Sequence, residues 1–483
     1  MKEKEKENID QIDQNDFAGY STSVKIQLFA LFFLIGILNH LGTILVMTGG
    51  RLLTIELNMR PYVTIYTSVA TIFSIITRMV NSKLCLKVSY KKRVIIICFW
   101  MMFGYLSMFL VLTLHETVLK EYNVLCFILS FIPCFFLGSS YAFGESAMIA
   151  YLRLFPKTLI AGWSSGTGLS GIISGGLNLL TQLLNGLSLK FLYLILTPVG
   201  PVYLFLFLWT FKLLKKDNNA LIDEINIEDI EKIENDKKEK DEENDNNIDI
   251  NIINDDIKNE DDDDNNIKEI EEVKDDKALE EMNKQNKTMN YTNFLAVMKM
   301  CGRVIINLGF IYFTQFVCVN AIVIRNSNKI DIPFLPISEN DEKEKIRKGK
   351  FEFINMFFQF GMFTSKTFIK VVRRIQPIEI YTISITTITI IYMLQYYSGF
   401  LVWWSFPFIN YILGFFSGGT YAGGFYVILH SGQVLLDYKE LTVNVATIFN
   451  DTGTFLSGVV GYWLLNYVIE SDEAFPGQEI KNK

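Results

Sequence analysis

The chain has 483 residues, half of them hydrophobic, with 39 Phe and 22 Tyr against 10 Pro. Its net charge of -7 is local, because residues 217–290 hold 28 of the 52 acidic side chains and 10 lysines, which leaves the remainder basic. Long apolar runs with short breaks exclude a soluble globular protein, and basic residues confined to short loops form no stripe for nucleic acid.

The opening MKEKEKENIDQIDQND matches acids with lysines and leads into no short apolar core. Residues 1–25 are therefore expected to be a charged cytosolic tail and not a cleaved signal. Apolar runs at about 26–48, 62–81, 94–114, 122–150, 159–184 and 190–214 predict six transmembrane helices. Residues 215–293 are rich in Asn, Asp, Glu and Lys, cannot bury an apolar face, and predict a disordered acidic cytosolic linker. Runs at 296–324, 351–369, 378–397, 400–430 and 443–469 predict a second half of five helices, with a twelfth left open, and 470–483 as a luminal tail.

With the N-terminus in the cytosol, the short cytosolic loops carry Lys83, Lys87, Lys91, Lys92, Arg93, Arg153, Lys157, Lys370, Arg373, Arg374 and Lys439. The opposite short loops carry Arg51, Arg60, Lys120 and Lys190, so the basic bias supports this orientation, although loop 325–350 is basic on the other side. The sequons at Asn286 and Asn290 then lie in the cytosol and are expected to carry no glycan. Asp217, three residues, then Leu221-Ile222 has the form read by clathrin adaptors, and it points to lysosomal or vacuolar membranes; such short matches also arise by chance in an Ile- and Asp-rich stretch.

The two halves repeat one another. Gly138, Tyr141, Ala142 and Gly144 recur 280 residues later as Gly418, Tyr421, Ala422 and Gly424, and Thr167-Gly168 with Ser170-Gly171 matches Thr452-Gly453 with Ser457-Gly458 if two residues are inserted. An all-α, major-facilitator-like membrane protein built from two pseudo-repeated halves is the expected fold. Glycines four apart (Gly162 and Gly166, Gly171 and Gly175, Gly414 and Gly418, Gly419 and Gly423) suit close helix packing or helices that slide against each other.

Glu145 is the lone acid in the run from Tyr122 to Leu152, where a charge costs ~2.5–3.5 kcal/mol on insertion scales. Two readings stand: a structural pair with Arg78 or Arg153, and a proton or solute contact. Asp451, with Asn450, either caps the eleventh helix or pairs with a base. Arg78, Lys366 and His430 either meet a cavity or extend to the headgroups. Asn39, His40, Asn307, Gln315, Gln359 and Asn410 line a path or cross-link helices. The six cysteines (Cys85, Cys98, Cys126, Cys134, Cys301, Cys318) form no CxxC pair and read as small buried hydrophobes, and no metal or cofactor is expected.

The stretch GESAMIAYLRLFPKTLIAGWSSGTGLSG (144–171) closely resembles the signature of the battenin family: Gly144-Glu145, Phe155-Pro156-Lys157, then Trp163, Ser164, Ser165, Gly166, Thr167 and Gly168. QFGMFTSKTF (359–368), GFFSGGTYAG (414–423) and NDTGTFLSG (450–458) are similar in the family's order, and the resemblance covers 26–214 and 294–469. Two departures are Gln315, where the family pattern often has an acid, and the ending Lys481-Asn482-Lys483 in place of a prenylation box. The resemblance implies an endolysosomal protein of the major-facilitator clan, linked to efflux of glycerophosphodiesters, to lysosomal pH and to basic amino acid transport. A transporter of a small polar, anionic solute, with protons as a further partner, is thus the first functional reading. A non-transporting scaffold or trafficking regulator acting through the linker is the second. A membrane enzyme is the third, for which no nucleophile-base pair or metal set is present.

Overall fold

The computed structural model describes residues 22–85, 88–152, 157–183, 188–217, 287–336, 349–372, 378–430 and 434–469. Among them no strand occurs. Helix α1 spans Thr22–Glu56, α2 Ile65–Val80, α3 Tyr90–Thr117, α4 Asn123–Leu152, α5 Lys157–Leu183, and α6 Leu189–Leu196 continued by Val199–Asp217. In the second half α7 spans Tyr291–Lys329, α8 Lys350–Thr367, α9 Glu379–Ser398, α10 Ser405–His430 and α11 Lys439–Trp463. A helical rod stands at each of the eleven apolar runs.

Local chemistry sets the breaks. α4 is interrupted at Ser130, whose hydroxyl donates to Phe127 O at 2.6 Å, just before Pro133, a residue with no N–H to offer the preceding turn. α6 breaks at Thr197-Pro198 for the same reason. α7 widens into a π-turn at Cys318–Val323 and then continues to Lys329, so the segment from 325, expected as loop, begins as helix. Asn326 Nδ2 donates to Tyr392 O at 3.1 Å and fastens that extension to α9.

Among the described residues six helices are long and apolar enough to cross a membrane: α1, α3, α4, α6, α7 and α10. The remaining five, α2, α5, α8, α9 and α11, are shorter or more polar. Four of those five carry the interior groups Arg78, Ser164, Lys366 and Asp451. A helix facing lipid must be apolar on its outer side, whereas one surrounded by other helices can hold polar side chains that pair within the bundle.

The chain divides into two compact units, Met1–Leu28 with Leu208–Met282, and Phe29–Phe207 with Asn283–Lys483. The described part of the first is the opening of α1 and the end of α6. The second contains both repeats, and each repeat is packed by the same glycine contacts. A methyl group on Gly138 of α4 would stand 2.5 Å from Ala70 O of α2, and one on Gly418 of α10 would stand 2.6 Å from Met362 O of α8. Gly166 of α5 meets Phe33 O of α1 at 2.0 Å in the same sense, and Gly453 of α11 meets Gly309 O of α7 at 2.1 Å. The halves touch each other through α5 against α8, where Gly171 faces Gln359, and through α2 against α11, where Gly458 faces Ser68.

These contacts revise the repeat register in α5 and α11. Gly166 and Gly453 occupy one role, Gly171 and Gly458 another, and both pairs are 287 residues apart. The match of Thr167-Gly168 with Thr452-Gly453, with two residues inserted, is replaced by Gly166-Thr167 with Gly453-Thr454 and no insertion. The reason is steric: Gly166 and Gly453 each lie against a carbonyl oxygen of the first helix of their own half, whereas Gly168 lies against the Phe363 backbone and Lys366 of α8 in the other half.

Candidate functional site

The buried face of α2 runs Tyr66, Thr67, Ala70, Thr71, Ser74, Ile75 and Arg78, a helical spacing that keeps all of them on one side. Ser74 Oγ donates to Gly138 O at 3.0 Å, and Thr77 Oγ1 donates to Ser139 Oγ at 2.9 Å. Contacts advance together along both helices, so α2 and α4 run parallel, and the next turn of each brings Arg78 to Glu145.

Arg78 is fully buried and Glu145 is 1% exposed. Arg78 Nη2 donates to Glu145 Oε2 at 2.5 Å, Nε donates to Asp451 Oδ2 at 2.7 Å, and Nη1 donates to Ala142 O at 3.2 Å and Ser146 Oγ at 3.1 Å. The Tyr421 hydroxyl donates to Glu145 Oε1, and His40 Nε2 lies 3.5 Å from the same oxygen. His40 is held edge-on to Tyr141 and Trp163 at 4.8 and 5.9 Å between ring centres. Asn39 Nδ2 donates to Tyr141 O at 3.2 Å. One guanidinium thus binds a carboxylate of its own half and a carboxylate of the other half, and Tyr421 from the second half closes on Glu145.

The second half repeats part of this arrangement. Lys366, 3% exposed, places Nζ 4.3 Å from the ring centre of Tyr421, as Arg78 places its guanidinium carbon 5.3 Å from that of Tyr141. Lys366 Nζ also donates to Thr167 Oγ1 of α5 at 3.1 Å. Its neighbour on the α8 face, Gln359, lies against Gly171.

Two further ion pairs join the halves at opposite ends of α2. Arg51 of α1 meets Glu352 of α8 at 3.0 Å, and Arg93 of α3 meets Glu440 of α11 at 3.0 Å, the latter pair buried on both sides. A cavity of about 360 Å³ between α7, α9 and α10 is lined by Met298, Arg303, Glu379, Tyr381 and Gly423, and by none of the cluster residues. The side chains of the central cluster are themselves buried, Arg78 fully and Glu145, Lys366 and Asp451 at 1%, 3% and 4% exposure.

Several sequence expectations resolve. Glu145 pairs with Arg78; Arg153 lies outside the described residues. Asp451 does not cap a helix: α11 begins at Lys439, three turns earlier, so Asp451 stands mid-helix and pairs with Arg78. Arg78 and Lys366 do not extend to the headgroups; both are enclosed. Asn307 and Asn410 cross-link helices, with Thr382 Oγ1 donating to Asn307 Oδ1 at 3.0 Å and Asn410 Nδ2 donating to Tyr392 OH at 2.7 Å. Gln315 is fully buried and its amide atoms have no protein partner. Pro156, Leu221 and Ile222, with the side chains of Asp217 and His430, lie outside the described residues. Tyr421 entered the sequence reading only as a repeat mark, and Arg93–Glu440 and Arg51–Glu352 left no sequence signal, since their partners are 347 and 301 residues apart.

Two pseudo-repeated helical halves joined by buried ion pairs define a multi-pass membrane protein of the major-facilitator type. The crystal structure of a D-xylose-proton symporter superposes on 90% of this chain and 90% of its own with a TM-score of 0.50 at 10% identity, a likeness of fold. A model of the CLN3 protein family matches residues 30–471, and the chain belongs to that family. Battenin of Dictyostelium discoideum is 23% identical over a 417-residue alignment, with 84% of this chain and 85% of that protein covered.

Proposed function

We propose that the protein is an alternating-access transporter that exports a small polar, anionic solute of glycerophosphodiester type across a lysosomal or vacuolar membrane. The single observation that carries this reading is Arg78, which holds Glu145 within its own half and Asp451 across the interface. Opening either side of such a molecule requires the halves to part along α2–α11 and α5–α8. Parting breaks the Arg78–Asp451 and Tyr421–Glu145 contacts together. A buried ion pair that loses one partner is strongly destabilised, so the cluster favours the closed form until a proton or a solute compensates the exposed charge. Proton uptake from an acidic lumen by Glu145 or Asp451 supplies that compensation and links transport to lysosomal pH.

In this reading residues 26–214 and 294–469 are the two moving halves, and the tail 1–25 and the linker 215–293 face the cytosol. The end of the linker supports the placement: Lys287 N donates to Asp437 O and Met289 N to Ser82 O, both at 3.1 Å, which gathers the linker exit, the end of α2 and the entry to α11 at the end where basic residues cluster. The test is Glu145→Gln in reconstituted vesicles with an imposed pH gradient. Export is expected to lose its pH dependence while the protein still folds; an unchanged pH profile would reduce Glu145 to a structural partner.

A further inference from the structure

The two repeats treat their cations differently. Arg78 and Lys366 are both buried and both stacked on the repeat-related tyrosines Tyr141 and Tyr421, although Lys366 reaches its ring from one turn earlier along its helix. Arg78 has two carboxylates. The positions that correspond to them in the other repeat are Phe425, 280 residues from Glu145, and Ser164, 287 residues from Asp451. Neither bears a charge, and among the described residues no carboxylate lies within ion-pair distance of Lys366. Glu145, already held by Arg78 and Tyr421, acts on Lys366 only from beyond that distance, and an enclosed ammonium with no carboxylate of its own is costly, so such a site favours an anion.

The surrounding donors are also unfilled. Ser164 Oγ, 3% exposed, and Trp163 Nε1 are buried with no hydrogen-bond partner. They sit one turn before Thr167, whose hydroxyl already donates to Ser164 O at 2.8 Å and so can only accept from Lys366. Ser164 shares a helical stripe with Gly168 and Gly171, the two glycines that lie against α8, so its hydroxyl is on the side of α5 that faces Lys366. An ammonium with one acceptor, a hydroxyl and an indole N–H within one turn of each other lack the same thing: a group with several acceptor oxygens.

We infer that Lys366, Ser164 and Trp163 form the subsite for the phosphate or carboxylate of the transported solute, the bound anion taking the place of the carboxylate that Asp451 supplies to Arg78. This inference rests on the transporter reading and assigns the anion's place within it. Because Lys366 belongs to α8, Ser164 and Trp163 to α5 and the ring beneath the ammonium to α10, an anion bound here touches both halves at once, as a solute that controls their parting must. Ser164→Asp is the most direct check, since it puts a carboxylate at the position that corresponds to Asp451.

The experiment measures equilibrium binding of radiolabelled glycerol 3-phosphate to the purified full-length protein, with glycerol as uncharged competitor. Wild type is expected to bind saturably and to ignore glycerol. Lys366→Gln should bind about 30-fold more weakly, the loss of one charge-assisted contact, and Lys366→Arg should recover most of the affinity. Ser164→Asp should abolish binding with no loss of thermal stability, which separates occupation of the site from misfolding. Absence of saturable binding to wild type, equal competition by glycerol, or wild-type affinity in Lys366→Gln or Ser164→Asp would each overturn the subsite. Lys366-dependent binding with no solute movement in vesicles would sink the transport reading alone, and movement of the same solute unaffected by Lys366→Gln would sink the subsite alone.

Discussion

Arg78→Gln removes the cation that two buried carboxylates share. The substitution deletes the contacts at 2.5 Å to Glu145 and 2.7 Å to Asp451 together with the donors to Ala142 O and Ser146 Oγ. Glu145 and Asp451 are then left at 1% and 4% exposure without a direct cationic partner. Removing one member of a buried pair costs about 3–5 kcal/mol, and relief by proton uptake on one carboxylate, with His40 near Glu145, puts the expected loss near the lower end, about 3 kcal/mol. Neutralising all three in the Arg78→Gln, Glu145→Gln, Asp451→Asn variant leaves amides that hydrogen-bond one another, so the loss should shrink to about 1 kcal/mol. The assay is denaturant unfolding of the purified protein in detergent, followed by tryptophan fluorescence, alongside export from vesicles. Both variants should be inactive although the triple variant is the more stable. Arg78→Gln with wild-type stability, or a triple variant less stable than the single one, would refute the claim that this guanidinium compensates two buried charges.

Exchanging the charges of the cross-half pair offers a second test: Arg93→Glu and Glu440→Arg should each impair export, and the double exchange should restore at least part of it, with no restoration counting against a paired role. Gly166→Val would force a side chain onto Phe33 O and should destabilise the fold by about 3 kcal/mol or more, the upper range for overpacking, whereas Gly176→Ala, which meets nothing within 4 Å, should be neutral or stabilising by up to about 1 kcal/mol through helix propensity; thermal unfolding of the two variants checks the contrast. Leu221→Ala with Ile222→Ala should move the protein from lysosomal or vacuolar membranes to the cell surface in fluorescence microscopy, and retention would mean that another signal sorts it.

What sequence alone determined about this protein is what depends on local composition. Spans follow from runs of apolar side chains long enough for the bilayer, and a lone acid such as Glu145 in one of them stands out because burying charge is costly wherever the helix packs. The duplication was legible in Gly138, Tyr141 and their counterparts Gly418 and Tyr421, since close helix contacts and a shared ring position constrain residue type. Partner choice was not legible. Arg78 joins Asp451 across 373 residues and Tyr421 joins Glu145 across 276, and no local pattern encodes which face of α11 or α10 turns toward α2 or α4. Asp451 read from sequence as either a helix cap or the partner of a base; the structure chose the pairing by starting α11 at Lys439 and placing Asp451 mid-helix beside Arg78. Register within α5 and α11 was likewise decided in three dimensions, by the glycines that lie against neighbouring carbonyl oxygens. Lys366 read from sequence as a cation that meets a cavity or extends to the headgroups, and packing decided between them by enclosing it against a hydroxyl and a ring. Charge on a residue is written in its sequence position, but its compensation depends on helices hundreds of residues away, and only tertiary packing brings those together.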